Sequence, residues 1–281
     1  MSGAFRGDAA VKAALLARLE RHAAEGSLRF GATQWDEQGG SPLGVSTKGG
    51  SSADYAEQFG YPIALAGLLD PLTGWASEYD RADVALHWVR DVAVGADLLF
   101  VPERIAAHFL IAMEADRLAT PFYDDLRSLY RAEDEDAPPA RRTWSALRER
   151  MEQAAEGEAP SSDVRAALKA CATACWPLRT STSVLTTLIA AWIQDVNRTP
   201  DPEYGEEERA SALAMLGEIF SETEPLREAG EPVDIPALFR ARSPEMAWAF
   251  EAQLARANDR HTVRARSVPA IVLWHLAATT L

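Results

Sequence analysis

Residues 180–194 carry no charged side chain, and their apolar residues fall on every face of a helix drawn through them. The segment is shorter than the roughly 20 residues needed to span a bilayer. It is therefore expected to be the most buried helix of a protein core, running from residue 181 to 196. Residues 267–281 are likewise uncharged and read as a second buried helix. With hydrophobic residues at 47% of the chain, there is material for a substantial interior.

The rest of the chain repeats apolar residues at helical spacing. Val11, Leu15, Leu16 and Leu19 form one stripe, and Val84, Trp88 and Val92 another. Residues 105–113 are apolar nearly all round, and Phe122, Leu126, Leu129 and Tyr130 mark a further helix. Glycine and proline separate these stripes, and a brief alternation at residues 28–30 and 33–35 reads as a short strand or an extended arm. Proline at 244 and 269 predicts two C-terminal helices, 244–257 and 269–280. No self-similarity at solenoid periods is present. The expected fold is all-α, an irregular arrangement of about a dozen helices. An acidic, proline-containing connector divides it into an N-terminal part, 1–131, and a C-terminal part, 141–281, packed into one globule.

The net charge of −14 and a pI near 4.8 exclude general nucleic-acid binding and attraction to anionic membranes. They favour a basic protein partner reached by electrostatic steering. Two acidic segments are the candidate contact surfaces: Glu133, Asp134, Glu135 and Asp136, and Glu206, Glu207 and Glu208. Two cysteines and an N-terminus without an apolar run point to a reducing cytoplasm. The excess of arginine over lysine points to a GC-rich bacterial source.

Residues 39–62 depart from the Ala/Leu/Arg/Glu texture elsewhere. Lys48, Gly49, Gly50, Ser51 and Ser52 place a lysine and a glycine turn ahead of a helix start, an arrangement that can hold an anion. The lysine precedes the glycines, so the Walker order is absent, and Asp54 and Glu57 in the first turn oppose an anion. His87 lies between Asp83 and Asp91 at successive i+4 positions, which reads as a solvated acidic face or as carboxylates that orient an imidazole as a base or bind a divalent metal, though one metal cannot take all three. His108 sits among Ile105, Phe109, Ile111 and Ala112 and reads as a core histidine or a buried acid/base. His22, at the trailing end of the first stripe, is expected to be half-exposed. Cys171 and Cys175 are spaced as small buried hydrophobes on one helix. No metalloprotease or nucleophile-elbow motif is complete, and no motif calls for a cofactor.

Two functions are compatible with these residues. The first is a soluble bacterial protein-binding module of immunity or adaptor type, presenting its acidic surface to a basic partner. The second is a helical enzyme that holds a small anionic substrate under the Gly/Ser loop, with His87 or His108 as acid/base. The second requires Lys48, His87 and His108 to converge on one pocket.

Overall fold

The structure is a computed structural model and describes residues 3–133, 138–157 and 160–280. A 3-10 turn at Ala4–Gly7 leads into α1 (Ala9–Ala24). A two-residue hairpin, β1 (Trp35–Asp36) with β2 (Gly39–Gly40), is the only sheet among the described residues. Five short helices follow: α2 (Pro42–Thr47), α3 (Ser52–Phe59), α4 (Ile63–Ala66), α5 (Leu69–Trp75) and α6 (Arg81–Arg90). Next come α7 (Val101–Ala112), α8 (Ala115–Leu118), α9 (Thr120–Ala132), α10 (Arg141–Glu156), α11 (Ser162–Ala174) and α12 (Val184–Asp195). The last four are α13 (Glu206–Glu222), α14 (Glu224–Glu228), α15 (Ile235–Arg242) and α16 (Pro244–Ala277). The fold is all-α and irregular.

Local chemistry sets many of the boundaries. Asp8 caps α1 by accepting the Ala10 N–H at 2.7 Å, and Gly26, with φ +64°, follows its end. Pro102 and Pro121 open the first turns of α7 and α9, where a missing N–H costs nothing. Ser181 accepts the N–H groups of Ser183 and Val184, so α12 begins at Val184 and not at residue 181. The serine caps the helix instead of entering it.

By packing, the chain forms two compact units: Met1–Gln194 with Ala265–Leu281, and Asp195–Arg264. The segments on both sides of the acidic connector belong to the first. Its core holds an aromatic group in which Tyr61 donates to the Trp88 carbonyl at 3.0 Å and Trp88 donates to the Tyr55 hydroxyl at 3.2 Å. Burial pushes the ionisation of both tyrosines upward. Within the same unit, α12 contributes Leu185, Leu188 and Ile189, all fully buried, and sets Trp192 edge-on to Phe109 at 5.0 Å. The helix is not covered on every side, because Thr187 and Gln194 are exposed. Threonine, glutamine and alanine make that side less apolar than the Leu/Ile side, so it can border open space.

The second unit has a small core of Ala212, Ile219, Phe239 and Ala247, flanked by Met215, Leu216 and Phe250. The expected break before Pro269 does not occur: residues 244–257 and 269–280 do not form separate helices, and α16 is continuous through Pro269. The intervening arginines are helical because buried or half-buried acids receive them. Arg256 and Arg260 reach Asp201 at 2.9 and 3.8 Å, and Arg264 reaches Asp195 at 3.8 Å. Proline then removes one backbone hydrogen bond from a helix held by its side chains.

Leu188→Ala should lower the unfolding free energy by about 2–5 kcal/mol, the range for truncating a fully buried leucine. Chemical denaturation measures this directly, and an unchanged midpoint would place α12 outside the cooperative core.

Candidate functional site

The Gly/Ser loop is a packed element. Lys48 is exposed and adopts the left-handed conformation (φ 56°, ψ 50°) that closes α2, its N–H returning to the Gly44 carbonyl. A Cβ on Gly44 would meet the Gln34 carbonyl oxygen at 2.1 Å, and one on Gly49 would meet Trp35 at 2.9 Å. These glycines permit close approach to the hairpin. Buried Asp70 holds the start of the region: it accepts from the hydroxyls of Thr33 and Ser41 and from the Leu43 N–H, at 2.6–2.9 Å. Ser51 and Asp54 form a reciprocal capping box at the start of α3, and Ser52 is the first residue of that helix. The Ser51 hydroxyl and N–H both donate to Asp54, holding its carboxyl below the usual range. The N-terminal donors of α3 thus already have an internal anion.

The histidines lie elsewhere. His87, half-exposed on α6, pairs with Asp91 at 2.9 Å, and Asp83 is exposed. His108, half-buried on α7, stands edge-on to His275 with ring centroids 5.3 Å apart. His275 is buried, and its Nε2 has no hydrogen-bond partner among the described residues. Burial lowers its pKa to about 4, and the neighbouring His108 and Arg104 add to the effect. His22 is buried and not half-exposed, with Nδ1 2.7 Å from the Ser27 hydroxyl. Cys171 and Cys175 are buried free thiols, each pushed up to about 12 by burial. Lys48, His87 and His108 line none of the clefts described below.

The acidic candidates separate. Glu133 is buried and is not part of an exposed connector. Its oxygens accept the N–H groups of Leu178 and Arg179 at 2.9 and 3.3 Å, and burial raises its pKa. Asp134, Glu135 and Asp136 lie outside the described residues. Glu206, Glu207 and Glu208 are exposed in the first turn of α13, where Glu208 caps by accepting the Gly205 N–H at 2.6 Å.

The turn that Glu133 pins forms one wall of a cleft of 710 Å³. Arg141, Trp144, Ser145 and Arg148 come from one face of α10, since their spacing repeats with the helix. Opposite stand Trp176, Pro177 and the hydroxyl run Thr180, Ser181, Thr182 and Ser183, with the first turn of α12 behind. Among the described lining residues, three are arginines, Arg141, Arg148 and Arg179, and one is a carboxylate, Glu133, whose oxygens accept from two backbone N–H groups. This cationic lining belongs to a chain of net charge −14.

Two donors on residues that line the cleft are themselves closed off from solvent and lack acceptors among the described residues. Trp144 is 1% exposed, and neither its Nε1 nor the Nη1 of Arg148 has a hydrogen-bond partner among the described residues. The other side of the Arg148 guanidinium lies 3.9 Å from Glu152, and its plane sits 4.1 Å from the Trp176 ring centroid. Beyond Glu133 and Arg179, a second cleft of 460 Å³ is lined with aliphatic and aromatic groups including Ile63, Leu99 and Phe100.

The cationic cleft was not among the sequence candidates. Its signal was present: Arg141, Trp144 and Arg148 at i, i+3 and i+7, together with four consecutive hydroxyl residues following Trp176-Pro177. Nothing local joins those two segments. No protein-family model, curated protein or solved structure matches the chain, so the cleft is read from its own geometry.

The His275 environment has a measurable consequence. The folded state holds this imidazole neutral down to about pH 4, whereas in the unfolded chain it protonates near its ordinary value of 6.5. The unfolded state therefore binds the extra proton first as pH falls. The contribution is intact above pH ~6.5 and is lost progressively towards pH ~4, to an extent on the order of 3 kcal/mol. Urea denaturation across that window should show a shallower pH dependence in His275→Asn than in the parent protein. Identical slopes would show that His275 does not titrate differently on folding.

Proposed function

We propose that this protein binds a small organic anion in the cleft between α10 and the connection from α11 to α12. The observation that supports this most strongly is the convergence of three arginines, Arg141, Arg148 and Arg179, and the hydroxyl run at residues 180–183 on one cleft. Hydrogen bonds between a guanidinium and an oxyanion are charge-assisted and roughly twice as strong as neutral ones.

Binding is favoured over catalysis by the lining itself. Among the described residues it holds no histidine and no cysteine, and its one carboxylate is committed to the backbone. The enzyme reading, in turn, finds no shared cleft for Lys48, His87 and His108. Free, buried thiols suit a reducing cytoplasm as the working compartment. No helix among the described residues is long and apolar enough to cross a membrane.

A second reading, a bacterial immunity- or adaptor-type module with a basic protein partner, is supported by α13. Its exposed acidic first turn lies on the same helix as the exposed side chains of Leu213 and Phe220. A charged rim beside apolar anchors is the usual composition of a partner surface. Replacing Glu206 and Glu207 with glutamine should then reduce the salt dependence of association with such a partner.

Calorimetric titration with inorganic phosphate and with acetate, at low ionic strength, tests the principal reading. Binding should be detectable, and Arg148→Gln should weaken it about 10- to 100-fold, the equivalent of one charged hydrogen bond. Arg141→Gln should weaken it too, and melting curves of both variants would confirm that the fold persists. No heat with either anion would remove the reading.

A further inference from the structure

We infer that α16 pairs with α16 of a second copy of this chain, the two helices running antiparallel about a two-fold axis. Trp248, Val263 and Trp274 are 74%, 69% and 63% exposed, and among the described residues only Tyr79 is a more exposed large hydrophobic side chain. All three stand on α16. A single exposed apolar residue is ordinary, but a row of them left open along one element marks an interaction surface.

The row is a face of the helix. At 3.6 residues per turn, Trp248, Ala255, Val263, Ala270 and Trp274 fall within an arc of about 100°, the width of a helix stripe that packs against a neighbour. All five are exposed, and the face runs for about 39 Å from Trp248 to Trp274. Two charged residues share the arc, Asp259 and Arg266, and both are exposed. From Asp259 onward, every exposed residue of α16 lies on this face.

The order of these residues fits the helix to itself. In a two-fold antiparallel pair, residues equidistant from the axis on either side meet across the interface. Asp259 and Arg266 are equidistant from a point between Thr262 and Val263, and so are Ala255 and Ala270. With the axis there, Asp259 of each copy faces Arg266 of the other, so one sequence supplies two opposite-charge pairs. The alanines meet outside them, small enough to let the helix axes approach towards the near end of the usual 8–10 Å range. Val263 lies at the axis, and Trp248 comes within about one turn of the second copy's Trp274 at each end. A parallel pair would instead set Asp259 against Asp259 and Arg266 against Arg266. The face carries no net charge in a chain of net charge −14, so it gives a basic partner nothing to select and suits a copy of itself.

Sedimentation over a concentration series tests the pairing, in about 0.15 M salt so that the repulsion between two acidic chains is screened. The protein should pass from monomer to dimer as concentration rises, and tryptophan emission should shift to the blue as Trp248 and Trp274 leave water. Replacing both tryptophans with alanine should raise the dimer Kd about tenfold or more. Asp259→Arg should do the same, because the symmetry repeats the like-charge contact, and adding Arg266→Asp should restore the parent Kd. All four side chains are exposed, so melting curves should show each variant folded. A protein that stays monomeric at every concentration overturns the inference and leaves the face to a different partner. A dimer that neither the tryptophan replacements nor Asp259→Arg weaken overturns it as well, and so does a double charge swap as weak as the single one.

Discussion

In a protein assembled from many short helices, the connections are harder to bury than the helices, because their N–H groups lack the helical ladder. Two buried carboxylates meet that need here. Asp70 accepts the Leu43 N–H and the hydroxyls of Thr33 and Ser41, tying the hairpin and the start of α2 to α5. Glu133 accepts the N–H groups of Leu178 and Arg179 and so holds the turn between α11 and α12 against the end of α9. An apolar side chain at either position would leave several buried donors unsatisfied.

The cleft is a consequence of the second clip. With the turn held in place, Trp176 and the hydroxyl run face α10, and Arg148 lies over the Trp176 ring. Among the described lining residues Glu133 is the only carboxylate beside three arginines. The described lining of this cleft is therefore cationic in a chain of large negative net charge. Its acidic surface would repel anions at long range, but this repulsion is screened beyond roughly 8–10 Å at physiological salt. Short-range donors then decide what stays bound.

Several properties followed from residue order alone. Helical period, Gly and Pro punctuation and the charge-free run at residues 180–194 are local or near-local features, and they determined an all-α protein with α12 in its core. Capping is also a local matter: Ser51 and Asp54, only one turn apart, form the capping box that begins α3. The C-terminal helices were misdivided because proline's local cost is visible in sequence, whereas the ion pairs of Arg256, Arg260 and Arg264 with Asp201 and Asp195 are not.

Only the tertiary structure decided where chemistry could occur. Glu133 reads as the first residue of a solvated acidic run, yet it is buried because distant backbone needed an acceptor. His108 acquired His275 as a neighbour from the far end of the chain. Lys48, the most conspicuous cation in the sequence, closes a helix at the surface. Arg141 and Arg148 share a face of α10, but only folding sets that face across from Trp176. A side chain's type and helical phase are written locally, but its burial and its partners depend on segments brought together only by folding. The sequence therefore determined the helices and their core, while the cleft exists only in their packing.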